Sequence, residues 1–414
     1  MTTENQTCII IGASHAGAAL ANAVRKEGWQ GRVLVIGNEK TMPYHRPPLS
    51  KALLNGEKTA DQIELFKSTV YDKANIEFML GVTVESINRD AKTITLHNGE
   101  TLHYDKLGLC TGARVRELPI PGHDLSGIFY LRTLADAQAI QAQVKAGNKA
   151  VIVGGGYIGL ETAASLRKLG MEVTVLEMMH RVLERVTAPE LSEYYSLLHE
   201  SHGVTIYTEA QAIEFEGNAN GQVTRVVCNK DLTLDADLVI VGIGVIPNTE
   251  IAEAAGLQAD NGIIVDAYAQ TTDPDIVAAG DCTNHPNDVL GFRLRLESVP
   301  NATEQARTAA ASICGNQKAY HSLPWFWSDQ YDVKLQIAGF NRGYDRVVVR
   351  GEPASNQFVA WYLKSDKILA ADCINSSKEF MQAKKIIAEN IPLSDALLAD
   401  ASNDLKALVE AAKG

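Results

Sequence analysis

The 414-residue chain is poor in cysteine, and no two of its six cysteines are close in sequence. Cys8, Cys110, Cys228, Cys282, Cys314 and Cys373 form neither a CxxC nor a CxxxxC. A local redox pair and a cysteine-based zinc site are therefore not expected, and the six read as isolated thiols of a reducing compartment. No apolar run approaches the ~18 residues needed to span a membrane. The opening segment MTTENQTCIII has no basic region and no cleavage site after its short apolar run. It reads as a strand rather than a secretory signal, and the cytoplasm is the expected location. Positive charge is also scarce: 38 Lys and Arg against 50 Asp and Glu leave a net charge of −12, which argues against a general nucleic-acid binder. The histidines, including His15, His45, His180, His199 and His202, show no metal-ligand spacing, so no metal site is expected. They read as surface or loop residues.

What the chain does contain is one unit written twice. Residues 8–36, CIIIGASHAGAALANAVRKEGWQGRVLVI, and residues 150–177, AVIVGGGYIGLETAASLRKLGMEVTVLE, share one order. Each runs from an apolar stretch through a glycine turn and an Ala/Leu-rich helical stretch to a glycine stop and a β-branched run. That order predicts strand, turn, helix, strand. The apolar run before each turn suits a strand buried on both faces of a parallel sheet.

The second turn matches G-x-G-x-x-G through Gly154, Gly156 and Gly159. Those glycines permit a tight turn, close approach to a pyrophosphate and close helix packing, and the helix N-terminus presents free N–H groups to phosphate. Glu177 ends the following strand, where its carboxylate can accept from both ribose hydroxyls and would repel a 2′-phosphate. This favours NADH over NADPH, a preference that Arg181 would soften. In the first turn Gly12 and Gly17 are kept but Ser14 replaces the middle glycine. Asn38 stands where an acid is often found; Glu39 follows it and is the better ribose acceptor of the two. Two such units imply two dinucleotides, one of them bound as a relay.

Three further stretches are weak alone: LGLCTGARV with Thr111 and Gly112, DIVAAGDC with Gly280 and Asp281, and PWFWSDQY, read as two tryptophans before a polar turn. Taken in order with RPPLSK, GGGYIGLE, RVLERVTAPE, GIGVIPNTE and ESVPNATEQAR, they resemble the two-dinucleotide flavoproteins. Within that group the chain is similar to the ferredoxin–NADH reductases that feed bacterial oxygenases, from about residue 7 to the C-terminus. The resemblance implies an α/β fold: two Rossmann-like dinucleotide-binding domains of the glutathione-reductase type and a C-terminal α+β interface domain. It places an FAD domain at 1–112 and 245–325, an NADH domain at 113–244 and the interface domain at 326–414. In the last, KLQIAGF, RVVVR, QFVAWYL and KILAADCIN read as strands. SKEFMQAKKIIAENI and DLKALVEAAK read as amphipathic helices, with Phe380 and Met381 as core.

The resemblance also assigns residues. FAD is held by Gly12, Ser14, His15, Ala16, Gly17, Glu39 or Asn38, Arg46, Lys51, Val84, Thr111, Gly112, Arg132, Gly280, Asp281 and Val299. NADH is held by Gly154, Gly156, Tyr157, Ile158, Gly159, Glu161, Glu177, Arg185 and Gly242. The implied chemistry is hydride transfer from NADH to the flavin, with Lys51 as a cation at the ring, paired to Glu161. The flavin-dependent disulfide reductases carry a cysteine pair in the region of PYHRPPLSK, and here there is none. The electrons are therefore expected to leave singly to a [2Fe–2S] ferredoxin, with Trp327 beside the flavin edge and Arg307 as a docking cation. Phe66 and Lys67 depart from the family pattern, which bears on partner choice. Rubredoxin is the alternative acceptor. A redox-gated binding protein like apoptosis-inducing factor fits less well, because the chain is acidic.

Overall fold

The computed structural model describes residues 3–412. They fall into two compact units, each threaded from several segments. Unit 1 comprises the chain up to His45, Ile63–Arg114 and Ile246–Phe326. Unit 2 comprises Arg46–Gln62, Val115–Val245 and the chain from Trp327 onward. A short excursion, Arg46–Gln62, thus leaves the first unit to belong to the second.

The repeat in the sequence is a repeat in the fold. Unit 1 is built on a parallel sheet in the order Ile276–Ala278, Lys106–Leu109, Thr7–Ile11, Arg32–Gly37, Ile76–Leu80. Unit 2 is built on a parallel sheet in the order Val204–Tyr207, Glu172–Leu176, Lys149–Val153, Leu238–Val241, Ile128–Tyr130. Each has its first strand of the repeat at the centre, followed by a twelve-residue helix, His15–Lys26 or Tyr157–Lys168. Strand alternation sends successive residues to opposite faces. Ile10, Val33 and Val35 accordingly join Leu20, Val24, Ala306 and Ala309 in one buried cluster. Ile9, Ile11, Leu34 and Ile36 join Ile87, Ile94 and Leu96 in another. The continuous apolar runs are what a sheet covered on both sides requires.

The C-terminal region is an antiparallel sheet in the order Trp325–Gln330, Val333–Gly339, Lys367–Ile374, Gln357–Lys364, Arg346–Glu352. The helices Ser377–Ala388 and Leu405–Ala411 follow it. Val333, Leu335, Phe358, Ala360 and Ile374 share one buried cluster with Leu160, Leu166, Val173 and Leu191. A hairpin turns at Ser365–Asp366, with Ser365 at φ 51°.

Three local readings are corrected. WFWSDQ is not two tryptophans before a turn but a six-residue strand, Trp325–Gln330. Met381 is not core: it is exposed, while Phe380 beside it is buried, because a helix with one face on a sheet turns adjacent residues to different sides. Three histidines are not surface or loop residues. His15 is buried at the start of its helix, His199 is fully buried in the helix Pro189–Ser201, and His285 is buried in the strand Thr283–Asn287.

Candidate functional site

In unit 1 the first glycine turn closes onto the sheet. Gly12 has φ +115°, and a Cβ there would lie 2.0 Å from the Cys110 carbonyl oxygen. A Cβ on Gly17 would lie 1.8 Å from the Gly12 carbonyl oxygen. Both positions therefore require glycine. Ser14 does not: its φ is −129°, an extended conformation open to any L-residue. Its substitution for the middle glycine carries no backbone strain. Glu39 accepts a hydrogen bond from the Tyr44 hydroxyl, whereas Asn38 is exposed.

The other unit 1 residues divide by what they can offer. Gly280, at φ +90°, approaches Ala16 so closely that an added Cβ would lie 2.9 Å from the Ala16 Cβ. Asp281 is half-buried just beyond it. Thr111 and Gly112 form a turn clamped by Asn248. Thr111 Oγ1 donates to the Asn248 carbonyl (2.7 Å), Asn248 Nδ2 donates to the Thr111 carbonyl (2.8 Å), and the Asn248 N–H donates to the Gly112 carbonyl (2.9 Å). Val84 buries its side chain in the core, so only its backbone is available to a ligand. Val299 is the first residue of the helix Val299–Ile313, whose N-cap Ser298 accepts from the Asn301 N–H. Arg307 is exposed on that helix. Phe66 is exposed, and Lys67 pairs with Glu64 at 3.0 Å.

In unit 2 the second turn repeats the geometry. Gly154 has φ +116°, with an added Cβ 2.3 Å from the Gly242 carbonyl oxygen, and a Cβ on Gly159 would lie 2.1 Å from the Gly154 carbonyl oxygen. Gly156 is different: a Cβ there would meet nothing within 4 Å. Its φ of −82° needs no glycine either. The protein gives no internal reason for glycine at 156, and the space above it is open to a ligand. A Cβ on Gly242 would come no closer than 3.9 Å to its neighbours, the Gly159 nitrogen and the Val153 carbonyl oxygen. Glu177 is pinned at the end of its strand, with Oε2 accepting from the Gly155 N–H and Oε1 from the Met179 N–H, both at 2.8 Å. Ile158 is an apolar side chain 49% exposed at the helix start. Tyr157 lies beside it, and Arg185 is exposed. Arg181 donates to the Thr187 and Glu184 carbonyls and to Ser192 Oγ.

The same unit brings Lys51 to Glu161. The Lys51 ammonium lies 2.6 Å from Glu161 Oε2, and the Glu161 side chain is 2% exposed. Ser50 Oγ donates to the same oxygen at 2.6 Å, and Ser328 Oγ donates to Oε1 at 2.6 Å. A buried carboxylate is tolerable only when its lone pairs are met in this way. Arg46 donates to the Arg132 carbonyl at 2.5 Å. Arg132 sits just before a capping box in which Thr133 and Asp136 bond reciprocally. Trp327 is half-buried on the strand that carries Ser328 and, by alternation, faces away from it.

Sequence reasoning missed Ser50, Ser328, Gln330, His199, Asn248 and Gln305. Gln305 Oε1 accepts from the Gly280 N–H and from Thr283 Oγ1, both at 2.8 Å, and so fixes the turn before Asp281. Strand alternation would have flagged Ser328 and Gln330 as one face, had WFWSDQ been read as a strand. All six thiols have their pKa pushed up, burial being the largest cause in each case, Cys8 to about 12. None supplies a thiolate at neutral pH.

Residues 6–306 match the family described as pyridine nucleotide-disulphide oxidoreductase, and residues 325–409 match the one described as reductase C-terminal. The chain belongs to the pyridine nucleotide-disulphide oxidoreductase family, and is an oxidoreductase using FAD and NAD(H). Among named relatives, it is 45% identical to putidaredoxin reductase of Pseudomonas putida, over 99% of this chain and 98% of that one. The covalent putidaredoxin reductase–putidaredoxin complex matches with a TM-score of 0.97 at 45% identity, covering 99% of this chain and 100% of that chain. The ferredoxin reductase for the CYP199A2 system from Rhodopseudomonas palustris matches with a TM-score of 0.95 at 40% identity, over 98% and 100%. No helix of the described residues is long and apolar enough to cross a membrane.

Proposed function

We propose that the chain is a cytoplasmic NADH-dependent ferredoxin reductase that passes electrons to a [2Fe–2S] ferredoxin serving an oxygenase. The observation that carries this reading is the Lys51–Glu161 pair. Where the disulfide-reducing members of the family would place a cysteine pair, this chain places a cation held by a buried carboxylate. Its thiols are all kept protonated by burial. The domain assignment that goes with it is FAD at about 1–112 and 245–325, NADH at 113–244 and an interface domain at 326–414.

The residues fit both dinucleotides. The FAD turn is tight at Gly12 and Gly17, with Gln305 holding the Gly280–Asp281 turn for the ribityl hydroxyls. The NADH turn is open above Gly156, with Ile158 presenting apolar surface and the Glu177 carboxylate fixed for ribose. Glu177 repels a 2′-phosphate, which supports NADH over NADPH. When bound, FAD would supply the redox chemistry, hydride acceptance from NADH and single-electron release. Lys51 offers a fixed positive charge to the negative charge that reduction creates, and Glu161 keeps that ammonium in one place. Trp327 would offer an aromatic surface for electron exit, and Arg307 a cation for an acidic partner.

The test is NADH-driven cytochrome c reduction by the purified protein, alone, with an added [2Fe–2S] ferredoxin, and with rubredoxin. Stimulation by the ferredoxin supports the reading. Stimulation by rubredoxin alone replaces the acceptor, and stimulation by neither, with NADH still consumed, overturns single-electron exit to a protein partner.

A further inference from the structure

Behind Glu161 lies a second row of buried polar groups that the chemistry above leaves unused. Ser328 is fully buried, and its Oγ accepts from Gln330 Nε2 at 3.2 Å. Gln330 is fully buried, and its Oε1 lies 2.8 Å from His199 Nε2. His199 is fully buried in the helix Pro189–Ser201, and its Nδ1 lies 3.1 Å from the Tyr331 hydroxyl. The row therefore runs from Tyr331 through His199, Gln330 and Ser328 to the carboxylate that holds Lys51.

Its direction follows from counting donors. The Glu161 carboxylate only accepts, so the single Ser328 proton points at it. Ser328 can then only accept from its other neighbour, which turns the Gln330 amide nitrogen toward it. The Gln330 carbonyl consequently faces His199, and an amide oxygen only accepts. The His199 proton must sit on Nε2, leaving Nδ1 to accept from the Tyr331 hydroxyl. Each donor faces Glu161, and reversing any one leaves two donors or two acceptors in contact. Burial lowers the His199 pKa to about 4, opposed by the bond to Gln330 and helped by His202. The ring is therefore neutral near pH 7 and has one proton to assign. In a buried row each bond polarises the next, and an unmet group is costly.

We propose that Ser328, Gln330 and His199 are positioning residues for the electron-accepting site: they fix the orientation of the Glu161 carboxylate and, through it, of the Lys51 ammonium. This rests on the proposed role of the Lys51–Glu161 pair. It explains why a strand in the C-terminal region carries a serine and a glutamine on its buried face, where apolar residues would pack at lower cost. It also makes the histidine an orienting group, whose tautomer sets the sense of the row.

The experiment has two parts, both on the FAD-loaded protein. The first reads the His199 imidazole nitrogens of the unmutated protein by ¹⁵N NMR at pH 7. A neutral ring protonated at Nε2 is expected; an Nδ1-protonated ring or an imidazolium overturns the row. The second compares Ser328→Ala and Ser328→Thr with Lys51→Met and Glu161→Gln, each checked for FAD content, in steady-state NADH oxidation with ferricyanide as acceptor. Ser328→Ala should lower kcat about tenfold, the effect of losing one charge-assisted hydrogen bond, with the KM for NADH within about twofold of the parent. Ser328→Thr, which keeps the hydroxyl, should recover most of the loss. If Lys51→Met and Glu161→Gln slow turnover but Ser328→Ala does not, the positioning role is overturned and the pair keeps its role. If Lys51→Met and Glu161→Gln leave turnover unchanged, the role of the pair falls, and the row with it.

Discussion

The Tyr362 hydroxyl donates to Asp372 Oδ2 at 2.5 Å, and the two side chains are fully buried together. Thr187 Oγ1 donates to the same oxygen at 2.8 Å. Burial nevertheless dominates, and it raises the Asp372 carboxyl to about 6 against the pull of both hydrogen bonds. In the same unit, burial lowers His199 to about 4.

These two groups should oppose each other in the pH dependence of stability. Asp372 binds its proton more tightly folded than unfolded, so its contribution weakens as pH rises from about 4 to about 6. His199 binds its proton less tightly folded, so its contribution strengthens as pH rises from about 4 to its ordinary value near 6.5. Each effect is on the order of 3 kcal/mol, so in the parent they nearly cancel across this window. Relative to the parent, the thermal midpoint of Asp372→Asn should climb between pH 4.5 and 6, and that of His199→Gln should fall. Parallel midpoint curves for all three proteins would refute the assignment.

The glycines of the second turn should separate folding from binding. A Cβ at Gly159 meets the Gly154 carbonyl oxygen at 2.1 Å, so Gly159→Ala should lose roughly 1–3 kcal/mol, read as a lower urea midpoint. A Cβ at Gly156 meets nothing. Gly156→Ala should keep the parent midpoint yet raise the KM for NADH about tenfold or more. An unchanged KM would mean that the open space is not where the pyrophosphate lies.

Much of this could be read in advance. The double repeat gave both parallel sheets, because continuous apolar runs and glycine spacing are local signals with a single physical solution. The Lys51–Glu161 pair was visible only through resemblance, since the two residues are 110 positions apart. Ser328, Gln330 and His199 stayed hidden for a related reason. Polar residues in a short aromatic stretch look like a turn, and a histidine on a helix looks solvated, until tertiary contacts bury them. Asn248 and Gln305 act by clamping backbone turns, a role that leaves no compositional mark.

Glu177 should govern the choice of nucleotide. Glu177→Gln keeps the shape but loses the charge, which weakens hydrogen bonds to ribose and removes repulsion of a 2′-phosphate. We expect kcat/KM for NADH to fall about tenfold, a difference of about 1.4 kcal/mol, and the NADH to NADPH ratio to fall further. An unchanged ratio would place the discrimination elsewhere.

Arg307 should matter to the protein partner alone. Arg307→Glu is expected to raise the KM for ferredoxin about tenfold at low salt, less at high salt, with ferricyanide reduction unchanged. A ferredoxin KM equal to the parent's would remove this exposed arginine from the docking surface.

The excursion Arg46–Gln62 has a consequence for how the chain is made. Neither unit can close on itself during synthesis in the order it is encoded. The edge strand of the first parallel sheet, Ile276–Ala278, emerges after the whole central sheet of the second unit. Leu54, emerging early within the excursion, waits for core partners as late as Ile374. A nascent chain stalled near residue 240 would hold a first sheet without its edge strand and a Glu161 carboxylate without Ser328. Circular permutants opened at Arg46 or Gln62 should therefore fold more slowly than those opened at the exposed turn near Asn220, even where the final stability is the same.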